Sequence, residues 1–172
     1  MNTHQRVLGL AMAATLALAG AGCGTTEPPG DGGTGGSAAC TDADPFCHPH
    51  GGKRWGEEKT GVTFAEAKAY CEGLSGKLPS ISDLRTLFAD CPATEPGGAC
   101  DVTDTCTTEA CLNEACVGCG DGGHNVFGNE DPFWSGTAVS DKPGQHFLAV
   151  YRYSLISALD DEKAMSAYCI AP

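Results

Sequence analysis

The chain has 172 residues, 22 of them acidic and 10 basic, for a formal charge of −12 at neutral pH. Such acidity disfavours polyanionic partners, namely nucleic acid, sulfated polysaccharide and acidic lipid headgroups, because the field of the whole molecule repels them. Eleven cysteines beside only 7% aromatic residues favour a modest core held by covalent staples in an oxidising compartment.

The first 22 residues, MNTHQRVLGLAMAATLALAGAG, carry one formal charge, Arg6, followed by an uncharged Ala/Leu-rich run and small residues. This pattern predicts a secretory signal, and the run is too short and too rich in Ala and Gly to favour a membrane span of about 20 residues. Gly20-Ala21-Gly22-Cys23 resembles a bacterial lipobox, with Gly20 at the place usually held by an aliphatic residue. The resemblance implies lipid modification of Cys23, which becomes residue one of the mature chain. Two or three acyl chains on one cysteine anchor stably, where a single chain holds only marginally. Gly24 follows, not the Asp associated with inner-membrane retention, so the expected location is the outer membrane or cell surface. Cleavage removes Arg6 and leaves a formal charge near −13. Residues 23–39 are rich in Gly, Pro and Thr without apolar periodicity, as a flexible tether requires.

Residues 40–172 are expected to form one α+β domain: a short strand, two helices, a cysteine-rich loop over 91–123, then several antiparallel strands. Thr63-Phe64-Ala65-Glu66 is a capping box. Phe64, Ala67, Cys71 and Leu74 recur at helical spacing behind it, with Gly76 as the expected stop. Ser80 starts a second helix whose stripe of Ile81, Leu84, Leu87 and Phe88 predicts an end near Cys91. Residues 91–123 hold six cysteines and few large apolar residues, which predicts a stapled insertion and not a second core. Runs at 133–138, 146–154, 155–159 and 164–170 are rich in aromatic and β-branched residues and read as strands. Trp55 and Trp134 are expected in the core.

Ten cysteines follow Cys23, an even number that allows five disulfides. Cys40 and Cys47 are close enough in sequence to pair locally. Cys91, Cys100, Cys106, Cys111, Cys116 and Cys119 allow fifteen connectivities, among which sequence does not choose.

Trp55, Thr63-Phe64-Ala65-Glu66-Ala67, Tyr70-Cys71 and Leu78-Pro79-Ser80-Ile81-Ser82-Asp83-Leu84-Arg85 resemble the bacterial Lcl C-terminal-type domain. Phe133-Trp134-Ser135-Gly136-Thr137 resembles its aromatic-Trp-Ser strand, and Tyr168-Cys169-Ile170 its closing Cys strand. The resemblance covers residues 45–171 and departs from the family at Gly76-Lys77, where Trp-Arg is common. It implies a C-type-lectin-like fold, a bridge between Cys71 and Cys169, and a surface-binding or adhesion role without catalysis. The charge makes the sulfated glycans bound by one branch a poor fit. The expected ligand is an envelope protein or a neutral glycan, met by the loops between residues 91 and 132. The alternatives are a structural envelope module with no free ligand and, behind it, an unrecognised hydrolase or oxidoreductase.

Other motifs are weaker. Cys116-Val117-Gly118-Cys119 lacks the second Cys pair of a zinc ribbon and the βαβ setting of a redox pair, so it reads as structural. Cys47-His48-Pro49-His50 looks like a metal tract without an identifiable acidic partner. The Glu-Pro-Asn and Trp-Asn-Asp loops of calcium-dependent lectins are absent. Asn129-Glu130-Asp131 is the candidate ligand-binding cluster, and Asp160-Asp161-Glu162 is a second acidic turn; neither supplies a full calcium shell. The two G-x-G-x-x-G matches, at Gly30 and at Gly118, neither follow a strand nor open a helix. G-x-S-x-G, H-E-x-x-H and P-loop motifs are missing. No cofactor, metal or catalytic residue is expected.

Overall fold

The computed structural model describes residues 40–172. The expected signal, Cys23 and the tether all lie outside the described residues. The architecture is α+β: a five-stranded mixed sheet, a separate two-stranded hairpin and two helices.

The hairpin comes first, with β1 (His48–His50) antiparallel to β2 (Lys53–Trp55). Gly51 and Gly52 turn it with φ of +57° and +73°, the double left-handed conformation that two-residue hairpin turns need. Then follow β3 (Lys59–Val62), α1 (Phe64–Gly73) and α2 (Ile81–Arg85). Past the cysteine-rich segment come β4 (Pro132–Ala138), β5 (Gln145–Val150), β6 (Leu155–Asp160) and β7 (Met165–Ala167). The sheet order is β3-β7-β4-β5-β6, antiparallel except where β7 runs parallel to β4.

Consecutive residues of β4 explain the layering. The pleat sends Phe133 and Trp134 to opposite faces, and both are fully buried. Trp134 packs with Val62, Ala67 and Leu148 on the α1 side, and its indole N–H donates to Val62 O at 3.0 Å. Phe133 packs with Ile81, Leu84 and Leu87 from the α2 side, together with Phe147 and Tyr151. Trp55 is equally buried in that second cluster.

Both helix starts are set locally. Thr63 accepts from Glu66 N while the Glu66 carboxylate accepts from Thr63 N at 2.9 Å, and Ser80 and Asp83 repeat the arrangement. The ends differ from expectation. In α1 it is Ser75 that takes the left-handed conformation, at φ +60°. Gly76 is needed for another reason: a Cβ there would lie 2.4 Å from Phe46 Cζ and 2.7 Å from Ile170 O. Helix α2 stops at Arg85, well before Cys91. Beyond it the bonds tighten to i→i+3, with Thr86 N donating to Asp83 O and Leu87 N to Leu84 O, both at 3.0 Å. Phe88 then bridges to Asn125, and Val126 N donates to Leu87 O at 2.9 Å. Pairing with a returning segment replaces helical bonds that the apolar stripe alone predicted. The expected strand 146–154 likewise ends at Val150 and passes into a 3-10 turn, Tyr151–Tyr153. The strand expected over 164–170 narrows to Met165–Ala167, beyond which Ile170 makes isolated bridges to Trp55 and Lys77.

Five disulfides join Cys40 to Cys47, Cys71 to Cys169, Cys91 to Cys119, Cys100 to Cys116 and Cys106 to Cys111. Two short 3-10 turns, Glu109–Cys111 and Glu114–Val117, are the regular elements of the stapled segment. It contributes Cys100, Val102, Cys111 and Cys116 to the α2-side core, so it extends the existing core. Arg85 holds it from inside. This residue is 2% exposed, and its guanidinium donates to the carbonyls of Thr94 (2.8 Å), Glu95 (2.8 Å), Cys100 (3.0 Å) and Val102 (2.6 Å). At the far end a Cβ on Gly118 would lie 2.2 Å from Ser154 O, so this glycine serves close backbone packing.

Candidate functional site

The site builds from four chain segments. The β1–β2 hairpin supplies His48, and the turn after β2 supplies Gly56, Glu57 and Glu58. The loop before β4 adds Val126, Phe127 and Asn129, and the strand end after β7 adds Tyr168. Together they line a cleft of about 500 Å³.

Asn125 shapes the loop. It is fully buried, and its Oδ1 accepts from Phe127 N at 2.8 Å and Asn129 N at 3.0 Å. This side-chain-to-backbone capture is the Asx pattern, and it leaves Val126 exposed and Phe127 partly buried against the core at the cleft. Phe127 lies 5.6 Å from both the His48 and Tyr168 rings, edge-on to the latter. Tyr168 is held in turn by stacking on Phe133, with centroids 4.3 Å apart and planes 6° apart. Burial pushes its phenol up to about 12, so it stays protonated at neutral pH.

The polar groups are two adjacent carboxylates in unlike surroundings. Glu57 Oε1 accepts from Cys40 N at 2.8 Å and lies 3.3 Å from His48 Nε2. The Cys40 N–H, and then His48, hold this carboxyl below its ordinary value. Glu58 Oε2 accepts from Asn129 Nδ2 at 2.8 Å, and Asn129 also donates to the Tyr168 hydroxyl. Burial pushes the Glu58 carboxyl above its ordinary value; Asp131 adds to the rise and the Ser166 hydroxyl opposes it. Glu58 Oε1 is buried and makes no hydrogen bond of good geometry among the described residues, although the Ser166 hydroxyl and the Asp131 carboxyl stand close enough to act on its titration. A buried acceptor of this kind costs free energy until a donor reaches it.

Of the expected cluster, Asn129 lines the cleft. Asp131 sits near Glu58. Glu130 is exposed, and its carbonyl accepts from Arg152 N at 2.8 Å. His48, from the Cys47–His50 tract, is joined in the cleft by Glu57, Glu58, Phe127 and Tyr168, which carry no local site motif. The sequence marks Glu57 and Glu58 only as an acidic doublet after Trp55-Gly56. The Cys47–His50 tract also gains the acidic neighbour that sequence did not identify, since Glu57 approaches His48. The second acidic turn is occupied: Asp161 pairs with His146 at 2.6 Å.

A smaller cleft of about 310 Å³ lies between α1 and the sheet and is lined by Lys68, Lys77, His146 and Phe64 among others. Its ring groups are already engaged, with His146 stacked on Phe64 at 3.5 Å and paired with Asp161. The larger cleft therefore offers a ligand more: acceptors in excess of donors, beside an aromatic edge. Among the described residues no helix is long and apolar enough to cross a membrane. Comparison with protein-family models, with curated proteins and with solved structures finds no match in any of the three.

Proposed function

We propose that the chain is a lipid-anchored protein of the cell envelope, held at Cys23 and displaying a non-enzymatic, C-type-lectin-like binding domain on its tether. The ligand is a neutral, hydroxyl-rich glycan, taken up in the cleft between Glu57, Glu58, Asn129 and Phe127. The observation that carries this reading is Glu58 Oε1, a buried acceptor without a well-formed hydrogen bond among the described residues, to which a sugar hydroxyl can donate. Phe127 offers an apolar ring against which the carbon face of a sugar packs. Excess acceptors and a net charge of −12 favour donors and repel sulfate or phosphate. The resemblance to Lcl C-terminal-type domains adds the envelope setting and the lectin-like class.

The test uses the full chain on an array of neutral, amino and sulfated glycans, with Glu58→Ala and Phe127→Ala as variants. Saturable retention of a neutral glycan, weakened about tenfold or more in each variant and with the glycan recovered uncleaved, supports the reading. Retention of sulfated glycans alone, or equal retention by the variants, overturns it. Co-assembly with one envelope protein and no glycan retention favours the structural module instead. Anchoring is read separately: a diacylglyceryl mass on Cys23 and its loss in Cys23→Ser.

A further inference from the structure

Beside the cleft, Cys40, Cys47, His48 and Glu57 bring one ligand atom each to within 4.8 Å of one another. We infer that these four residues form a thiol-gated site for a zinc-class cation, closed while Cys40 and Cys47 are bridged and opened when a dithiol reduces them. Soft thiolates with imidazole and one carboxylate are a donor set that zinc takes tetrahedrally.

Three features beyond proximity argue for it. His48 Nε2 and Glu57 Oε1 are 3.3 Å apart. Two ligands about 2.0–2.1 Å from one tetrahedral ion are separated by about 3.3–3.4 Å, so this edge of the site is already set. The second feature is orientation. Cys40 N donates to Glu57 Oε1 at 2.8 Å and fixes the carboxylate, while Cys47 N points at Cys40 Sγ from 3.2 Å. An N–H aimed at sulfur stabilises the thiolate, the form that binds metal. The third is access. Cys40 and Cys47 are both half-buried, whereas each of the other four bridges contains at least one cysteine no more than 4% exposed. Thiol–disulfide exchange needs an approach to sulfur; Cys40–Cys47 is accessible at both residues, and Cys91–Cys119, whose Cys119 is exposed, is its main competitor. The other histidine of the tract, His50, stands outside this four-residue cluster, and its Nε2 engages Thr86 O at 2.9 Å.

The chemistry balances. A dithiol gives two electrons and two protons to the Cys40–Cys47 bridge and becomes a cyclic disulfide; the two cysteines become thiols. Coordination then releases those two protons to solvent. In the bridged form His48 and Glu57 remain, and two ligands are too few for a closed site. The site stands whether or not the cleft binds a glycan.

The test treats the full chain anaerobically with one equivalent of a small dithiol, maps the opened bridge by alkylation, removes the reductant and titrates with Co²⁺ and then Zn²⁺. Expected are first opening at Cys40–Cys47, one cobalt per opened chain with thiolate charge-transfer absorption, and no such band in the bridged chain. Glu57→Gln and His48→Ala each weaken zinc binding about tenfold or more, and Cys40→Ser/Cys47→Ser binds none in either state. Prior opening of another bridge overturns the gate. No metal uptake after mapped opening, or unchanged uptake in these variants, overturns the site.

Discussion

Arg85→Met tests how the cysteine-rich segment is held. The arginine donates four hydrogen bonds, at 2.6–3.0 Å, to carbonyls of Thr94, Glu95, Cys100 and Val102. Methionine keeps the apolar stem and removes every donor. Each bond is worth about 1 kcal/mol net, and each carbonyl left dry costs about 1–3 kcal/mol more. Water entering beside the exposed Asp101, whose charge acts on Arg85, relieves part of that, and the Cys91–Cys119 and Cys100–Cys116 bridges still tie the segment. A loss of about 3–5 kcal/mol is therefore expected. For a domain of about 130 residues this lowers Tm by about 12–20 °C, at about 4 °C per kcal/mol. Thermal unfolding of the oxidised full chain by circular dichroism measures it, with hydrogen exchange reporting protection over residues 94–102. Arg85→Lys should fall between, because an ammonium offers three donors from one point where guanidinium offers five in a fork. Arg152, exposed near the Tyr153 ring at 5.7 Å, is the control; Arg152→Met should stay within about 0.5 kcal/mol. If Arg85→Met melts within about 2 °C of the parent, a shift worth only about 0.5 kcal/mol, the guanidinium is not what organises the segment.

Replacing both partners of the Cys71–Cys169 bridge by alanine frees a loop of sequence separation 98, and chain entropy assigns about 4.7 kcal/mol to a loop of about 100 residues. Denaturant unfolding should show a loss of about 3–5 kcal/mol; a loss under about 1 kcal/mol refutes the assignment of a fold-closing role. Glu58 yields a pH prediction. Its folded carboxyl titrates above the ordinary value because burial penalises the anion. Its contribution is therefore fully present below the unfolded value of about 4.3 and is lost as pH rises through the folded value. Glu58→Gln removes that loss, so the Tm of the variant relative to the parent should climb between acid and neutral pH. A constant difference across that range contradicts the burial argument.

Features legible in the sequence are those whose physics is local. The Thr63 and Ser80 caps depend on atoms three residues apart, and the Cys40–Cys47 loop closes over a separation of 7. The division into helices, stapled segment and late strands follows from periodicity and composition. For the opposite reason, helix α2 is shorter than its apolar stripe predicts. Its stripe of Leu87 and Phe88 is real and buried, but backbone bonds to residues 124–126 compete with the helical ones, and no local pattern encodes that rivalry.

The sequence by itself determined the acidic character, the α+β class, the helix starts and the presence of enough cysteines for five bridges. Tertiary structure alone decided the pairing of the six clustered cysteines, the inward turn of Arg85 and the meeting of Glu57, Glu58, Phe127, Asn129 and Tyr168. Glu58 and Tyr168 stand more than a hundred positions apart. Only the edge of the sheet, the hairpin and the Asn125-shaped loop bring them into one cleft. Caps and strand alternation depend on near neighbours, so sequence displays them. A cleft depends on which distant segments the core draws together, and composition carries no record of that.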